Sequence, residues 1–321
     1  MRTVWTMGFV AAAALSFAFP DFIVFRFTQA AVWALALLGL VLLCGVSGQF
    51  SFAQAALFGM GAYSAALIVN HTAMPVYAAL LLAPLVGYAA GYGLGRIAGR
   101  HDIWTQALIG YALAIAFPQL LRWPPIARWT GGVSGLYLDL PAAPFQGLSA
   151  DRWLFLLSLG LLGLTAWLVA NILRSRSGRA LVAARDHDLA AAAQGIDVVS
   201  VRAVAAGLAG GCLALAGSLS AMQYGYVGPT AYNFSLSVQM LFGLVVGGMH
   251  SIAGALIGGV MLEFLPGLIA GLGKGLSALI YAFLMIAAIV AMPNGIAGAL
   301  NRVDKYLRRR RLLGNGPIIG P

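Results

Sequence analysis

The amino-acid sequence predicts an all-α fold: a polytopic membrane bundle of about 8–10 spanning or half-spanning helices, counted at the roughly 20 apolar residues one crossing needs. Three observations point there. Of 321 residues, 61% are hydrophobic and only 9% are charged, with a mean hydropathy of +0.90. A soluble domain carries roughly 25% charged residues, so this chain cannot cover a water-facing surface. Residues 27–95, 103–121, 153–173, 203–262 and 275–301 contain no Asp, Glu, Lys or Arg at all. These runs are continuously apolar, whereas a membrane β-barrel would show short segments of alternating polarity.

The first element, about residues 4–19, lies within MRTVWTMGFVAAAALSFAF, one Arg followed by an apolar core. That pattern resembles a signal peptide, but no small-residue cleavage site precedes Pro20 and Asp21, and another span follows at once, so a retained helix is expected. Short loops rich in Lys and Arg stay cytoplasmic. Arg2 inside then sends the first helix outward and the second, about 30–46, inward, leaving Arg26 outside. Residues 48–69 run out, and 75–95 return to Arg96 and Arg100. Residues 103–121 lead to an outer loop, 122–152, and 153–173 come back to an arginine-rich loop, 174–200. Residues 201–221 run outward and end near 224–233. An odd number of crossings must bring the basic tail inside, which places a break at Gly247-Gly248 before a last helix at about 276–292. The domain plan is one transmembrane domain, 1–300, with a basic cytoplasmic tail, 301–321.

The net charge of +10 is local, not global: five arginines fall between Arg174 and Arg202, and Arg302, Lys305 and residues 308–311 form a terminal cluster. Basic segments beside membrane spans orient the protein and touch anionic lipid, so membrane lipid is the expected polyanion and nucleic acid is not. Cys44 and Cys212 lie in apolar runs and read as small hydrophobes.

Catalytic chemistry finds no footing. GLGKGL (271–276) lacks the first glycine of a phosphate loop and its Ser or Thr. His71, His101, His187 and His250 are scattered, without the spacing of a zinc site. His101-Asp102 sits at a helix end, where capping accounts for it. Glu263 is the lone carboxylate inside the apolar runs and reads as lying near a helix end. No catalytic residue, metal or cofactor is expected, and the chain is not predicted to be an enzyme. Ion-coupled carriers keep charges inside their spans, so energy for transport would have to come from a partner.

Residues 48–63, GQFSFAQAALFGMGAY, concentrate polar and small residues within a charge-free run. In hydrocarbon a polar group must meet protein or line water. Gln49, Ser51 and Gln54 therefore face other helices or a cavity. Placed on a helix, Ser51, Ala55, Phe58 and Ala62 share one face, and Gly48, Ala55, Gly59 and Ala62 form a small strip suited to close packing. The functional alternative is an unwound or re-entrant start at 48–51 that lines a translocation path, as broken helices do in transporters. The loop 174–202 reads as two short helices, the first over 178–185, the second capped by Asp186 or Asp188 and ended by Gly195.

Four motifs carry a family resemblance. GQFSFAQAALFGMGAY resembles the signature of membrane-spanning permease subunits of branched-chain amino acid ABC transporters, with Ala53 where a Gly is usual and Gln54 where a His is usual. TGGVSGL (130–136) resembles that family's outer loop. SGRALVAARDHDLAAAAQGID (177–197) resembles its cytoplasmic loop, and GLVVGGMHSIAGALIGG with MPNGIAGAL resembles its C-terminal half. The likeness is to the LivM-type subunit and covers roughly residues 30–300.

The resemblance implies an inner-membrane permease for branched-chain or other hydrophobic amino acids, working by alternating access, with its C-terminus cytoplasmic. Implied partners are two ABC ATPase subunits, a second related permease and a periplasmic solute-binding protein. It adds Thr130, Gly131 and Gly132 to Gln49, Ser51 and Gln54 as pathway candidates. It also makes 177–197 the ATPase-coupling loop, with Gly178, Arg179, Ala192 and Gly195 its chief residues and Arg185 a solvated rim charge. The alternatives are a permease for another small solute such as urea, or a self-contained carrier or channel.

The topology is testable at the loop 122–152. Cysteines at Ser134 and Asp139 are expected to react with an impermeant thiol reagent from outside intact cells; labelling from the cytoplasmic side alone would reverse the topology.

Overall fold

The computed structural model describes residues 19–72, 74–138, 149–269, 283 and 295–298. Apart from residues 19 and 283, the expected helices at 4–19 and 276–292 and the tail 301–321 lie outside the described residues. What is described is a helical membrane bundle, and among the described residues five helices are long and apolar enough to cross a bilayer.

At its centre is α1 (Asp21–Leu40), continued by a π-helical stretch, Val41–Val46. It is apolar all round, and Leu35, Leu37, Leu38 and Leu40 are fully buried, the setting a uniformly hydrophobic helix requires. Around it pack α6 (Ala150–Arg174), α9 (Val198–Tyr224), α10 (Phe234–Gly247) and α11 (Ile252–Ile269), while α2 (Gln54–His71) and α3 (Ala79–Ala98) lie against α9.

The helix expected over 30–46 starts nine residues earlier, at Asp21, and Arg26 is on it, not in an outer loop. The reason is its partner. Arg26 Nε lies 3.1 Å from Glu263 Oε1, its Nη2 donates to the Glu263 carbonyl at 3.0 Å, and its guanidinium covers the Phe264 ring at 4.4 Å. Glu263 is thus neither alone nor at a helix end: α11 continues to Ile269. A charge inside a bundle persists when paired, and this pair clasps α1 to α11.

The closest helix contact follows a four-residue rhythm. The buried residues of α3 are Ala79, Ala83, Gly87, Gly91 and Gly95, a strip that stays on one face because i and i+4 are neighbours. The strip meets Ala203, Ala206, Gly210 and Ala214 of α9 backbone to backbone: a Cβ on Gly91 would run into the Ala206 carbonyl, and one on Gly95 would stand 2.8 Å from the Ala203 Cα. Such seams replace the hydrophobic effect, which cannot drive association in lipid, with dense van der Waals contact. The other face of α3 carries exposed Leu81 and Leu85.

The expected break at Gly247-Gly248 is present. α10 ends at Gly247, and α11 turns back beside it from Ile252, with Gly247 against Gly254 and Gly243 against Gly258. The stretch 224–233 is not wholly an outer loop. After β2 (Tyr226–Val227), which pairs antiparallel with β1 (Leu136–Tyr137), the chain re-enters the bundle. Tyr232 is buried against Phe58 and Tyr63 of α2. α10 therefore begins within the bundle and is a half-span.

Gly91→Val is expected to force α3 and α9 apart and cost about 1–3 kcal/mol, the range of overpacking. Gly93→Ala, where a Cβ meets nothing within 4 Å among the described residues, should leave stability level or raise it by up to about 1 kcal/mol, because alanine is the better helix former. Thermal unfolding of the purified protein in detergent reads both.

Candidate functional site

The polar stretch of 48–54 does not continue a helix. After the π-helical end of α1, the Ser47 hydroxyl donates to the Leu43 carbonyl at 2.7 Å, and the chain leaves the helix at Gly48 with φ +69°. Only glycine takes that left-handed turn without strain. Residues 47–53 are non-helical until α2 starts at Gln54. The expected unwound start is therefore present, and Gly48 and Ser51 are not on the helix that the small-strip reading drew. Within α2, Gly61 faces the Ala214 backbone of α9 and Phe58 and Ala62 face Gly217 of α9, so Ala62 of the expected strip does pack there, while Gly59 makes room for the Phe117 and Tyr232 rings.

Polar side chains satisfy this irregular backbone. Gln49 Nε2 donates to Ser47 Oγ at 2.8 Å and to the Arg202 carbonyl at 2.9 Å. Ser51 Oγ accepts the Ala53 amide at 3.2 Å, and the Gln54 amide group donates to the Ser51 carbonyl. Ser237 of α10 reaches across, donating to the Phe52 carbonyl at 2.7 Å and accepting the Ala55 amide at 3.0 Å. A buried orphan amide costs about 1–3 kcal/mol, so Ser237 serves α2 as an N-cap from another helix. Gln54 Oε1 is buried and meets no hydrogen-bond partner among the described residues.

Beside the segment, Gln49, Ser51, Leu94, Gly110 and Gln106 of α4 (Ile103–Arg122) line a cleft of about 30 Å³, room for about one water molecule. Gln106 is itself held, its Nε2 donating to the His101 carbonyl at 2.9 Å. Asp102 stands at the N-cap of α4, the helix end expected for His101-Asp102, but its carboxylate accepts from the Thr105 hydroxyl and caps no backbone amide.

Thr130, Gly131 and Gly132 are elsewhere. Thr130 ends α5 (Pro124–Thr130), its hydroxyl donating to the Leu121 carbonyl at 2.7 Å. Gly131 and Gly132 turn the chain toward β1. This turn meets the far end of α2, where His71 Nε2 is 3.1 Å from the Trp129 carbonyl and Asn70 Nδ2 donates to the Tyr137 carbonyl at 2.9 Å. The two groups of candidates stand at opposite ends of α2, about 27 Å apart at 1.5 Å per residue.

What does come together with 47–53 is the arginine-rich loop. It forms α7 (Arg176–Asp186) and α8 (Asp188–Ala193). Ser175 caps α7 by accepting the Gly178 amide at 3.2 Å, and Gly178 is pressed on the Ile172 and Leu173 carbonyls, which makes the corner after α6. Arg179 is exposed and donates to the Arg174 carbonyl at 3.3 Å. Gly195 ends α8 at φ +80°, the Ile196 amide reaching back to the Ala191 carbonyl at 3.1 Å, the glycine-terminated helix end that was expected. Neither Asp186 nor Asp188 caps α8. His187 stands at the N-cap without a side-chain bond, and Asp188 is drawn off by Arg202, 2.6 Å away. Arg185 is exposed, as expected of a rim charge, but it is also held: its Nη1 donates to the Gly45 carbonyl at 2.6 Å. Burial, and then the nearby Arg185 charge, lower the pKa of His250 in the α10–α11 turn. Asp197 caps α9, and its bonds from Ser200 hold its carboxyl below the usual range.

Ser237, Arg202 and Gln106 were not singled out from the sequence. Ser237 and Gln106 are polar residues inside apolar runs, which was a visible signal; their partners were not.

The family model for the branched-chain amino acid transport system permease component matches residues 22–289. The chain belongs to this family. The permease is 26% identical over 296 residues to the high-affinity branched-chain amino acid transport system permease protein LivM of Salmonella typhimurium, covering 84% of this chain and 68% of that protein. It is also 26% identical over 299 residues to LivH of the same organism, with 84% and 92% covered. BraD of Pseudomonas aeruginosa is 26% identical over 290 residues, with 84% and 93% covered. No solved structure matches the permease.

Proposed function

We propose that this chain is the membrane-spanning subunit of an ATP-binding-cassette importer for branched-chain or other hydrophobic amino acids, driven by two separate ATPase subunits at the arginine-rich end. The observation that carries this reading is the outward face of α7 and α8. Leu189 of α8 is 88% exposed and Val182 of α7 43% exposed, and Ala192 and Gly195 are exposed as well, while Ala191 is turned inward. Bare apolar and small side chains on a charged loop suit a groove in another protein. Gly178 and Gly195 shape this surface, Ala192 is part of it, and Arg179 borders it.

The pathway passes the unwound segment, with Gln49, Ser51 and Gln54 at the arginine-rich end and Thr130, Gly131 and Gly132 at the outer end, where a periplasmic solute-binding protein docks. Two differently named permease proteins of one organism's system are among the relatives, which supports a second, related permease as partner. The exposed apolar faces of α3, α4 and α6 leave room for it and for lipid. In this reading the loop 177–197 and the C-terminus are cytoplasmic and the membrane is the bacterial inner membrane. ATP hydrolysis lies in the partners.

Ala192→Glu and Leu189→Asp alter exposed positions that the bundle does not use. Both should insert normally, lose the ATPase subunits on co-purification and lose uptake. Arg176→Ala removes one exposed charge, worth at most about 1 kcal/mol, and should keep both activities. ATPase association unchanged in Ala192→Glu and Leu189→Asp would refute the docking role.

A further inference from the structure

We infer that Arg185 and Arg202 are positioning residues that tie the loop α7–α8 to the unwound segment 47–53, so that displacement of the loop moves the segment. The inference rests on the reading of that loop as the ATPase-facing surface.

The two arginines join the same pair of elements by different routes. Arg185, near the end of α7, lays its aliphatic stem on Gly48, where a Cβ would stand 2.7 Å from the Arg185 Cγ, and its guanidinium holds the Gly45 carbonyl at 2.6 Å. The Gly45 carbonyl belongs to the last turn of the α1 extension, whose carbonyls have no helical partner ahead of them. A cation there also meets the negative end of the helix dipole. Arg202, near the start of α9, closes the second route. Its Nη2 holds the Ala184 carbonyl of α7 at 3.2 Å and Asp188 of α8 at 2.6 Å. Its own carbonyl accepts Gln49 Nε2 at 2.9 Å. The junction of α7 and α8, residues 184–188, is thereby bonded to residues 45–49, directly through Arg185 and by way of Arg202 and Gln49.

The receiving element is built to move. A π-helical stretch is uncommon and marks functional sites inside helices. Here it runs into a left-handed glycine and a non-helical segment, with few backbone bonds of its own. Beyond it, Ser237 couples the segment to both α2 and α10. Asn70 and His71 couple the far end of α2 to the outer turn. A shift of residues 45–49 thus reaches the half-span and the outer face through bonded neighbours.

The test uses the complete transporter in proteoliposomes: permease, ATPase subunits, second permease and binding protein. Ser51→Cys, in a chain carrying Cys44→Ala and Cys212→Ala, reports on the segment through its maleimide labelling rate with and without a non-hydrolysable ATP analogue. With both arginines present, the nucleotide is expected to change that rate. Arg185→Ala and Gln49→Ala are each expected to retain the ATPase subunits, abolish the nucleotide response at position 51, and lower uptake per ATP roughly tenfold, within the span of ordinary coupling free energies. Arg185→Lys, which keeps the charge and a donor for the Gly45 carbonyl, should restore much of the response. A merely structural arginine would alter stability without removing the nucleotide response. Gln49→Ala carries the test should Arg185→Ala fail to insert. Full nucleotide response and uptake in Arg185→Ala or Gln49→Ala overturns the inference, as does loss of the ATPase subunits from Arg185→Ala, which would put that residue in the docking surface. Failure of docking itself would appear separately, as ATPase subunits retained by Ala192→Glu.

Discussion

Seven residues, 47–53, leave the helical state between two helices of the bundle, and the surrounding structure is arranged to make that tolerable. Hydrocarbon offers no hydrogen bonds, so irregular backbone at membrane depth survives only where protein or enclosed water meets it. Each partner comes from a different place. Ser237 meets the Phe52 carbonyl and the Ala55 amide, Gln54 meets the Ser51 carbonyl, Arg185 meets the Gly45 carbonyl, and Gln49 ties the segment to α9. Five buried or half-buried polar side chains, Ser47, Gln49, Ser51, Gln54 and Ser237, gather here. The half-span α10, the arginine-rich loop and the start of α9 are held in register by one short stretch of open backbone.

Around that stretch the bundle is rigid for a reason that also reads from residues. Glycines and alanines four apart bring α3 and α9 into backbone contact, and the Arg26–Glu263 clasp fastens α1 to α11. These contacts have little freedom to slide, since a dense interior transmits strain and does not absorb it. In the coupling proposed above, movement imposed at the arginine-rich end is taken up by the π-helical turn and the unwound segment.

Much of this was legible in the sequence. The charge-free runs dictated a helical bundle, Gly247-Gly248 marked the break, and Gly195 marked the end of α8, because each signal is local. The unwound start could be read from glutamines and serines that no lipid-facing helix would carry. What was not legible depends on partners far apart in the chain. Arg26 looked like an outer charge because Glu263 lies 237 residues away. Asp188 looked like a helix cap because nothing local shows that Arg202 claims it. Arg185 is the exposed rim charge that was read, but its bond to the Gly45 carbonyl, 140 residues away, was not legible. Thr130 to Gly132 and Gln49 to Gln54 formed one set of candidates in sequence, and only the run of α2 separates them to its two ends.

The central claim is that the arginine-rich loop and the unwound segment move together. Amide hydrogen exchange of the complete transporter, with the ATPase subunits nucleotide-free and then held by a non-hydrolysable analogue, addresses it directly. The account predicts that exchange in 47–53 changes in step with exchange in 176–195, while the α3–α9 seam stays protected in both states. Exchange that changes in 176–195 and leaves 47–53 untouched would contradict it.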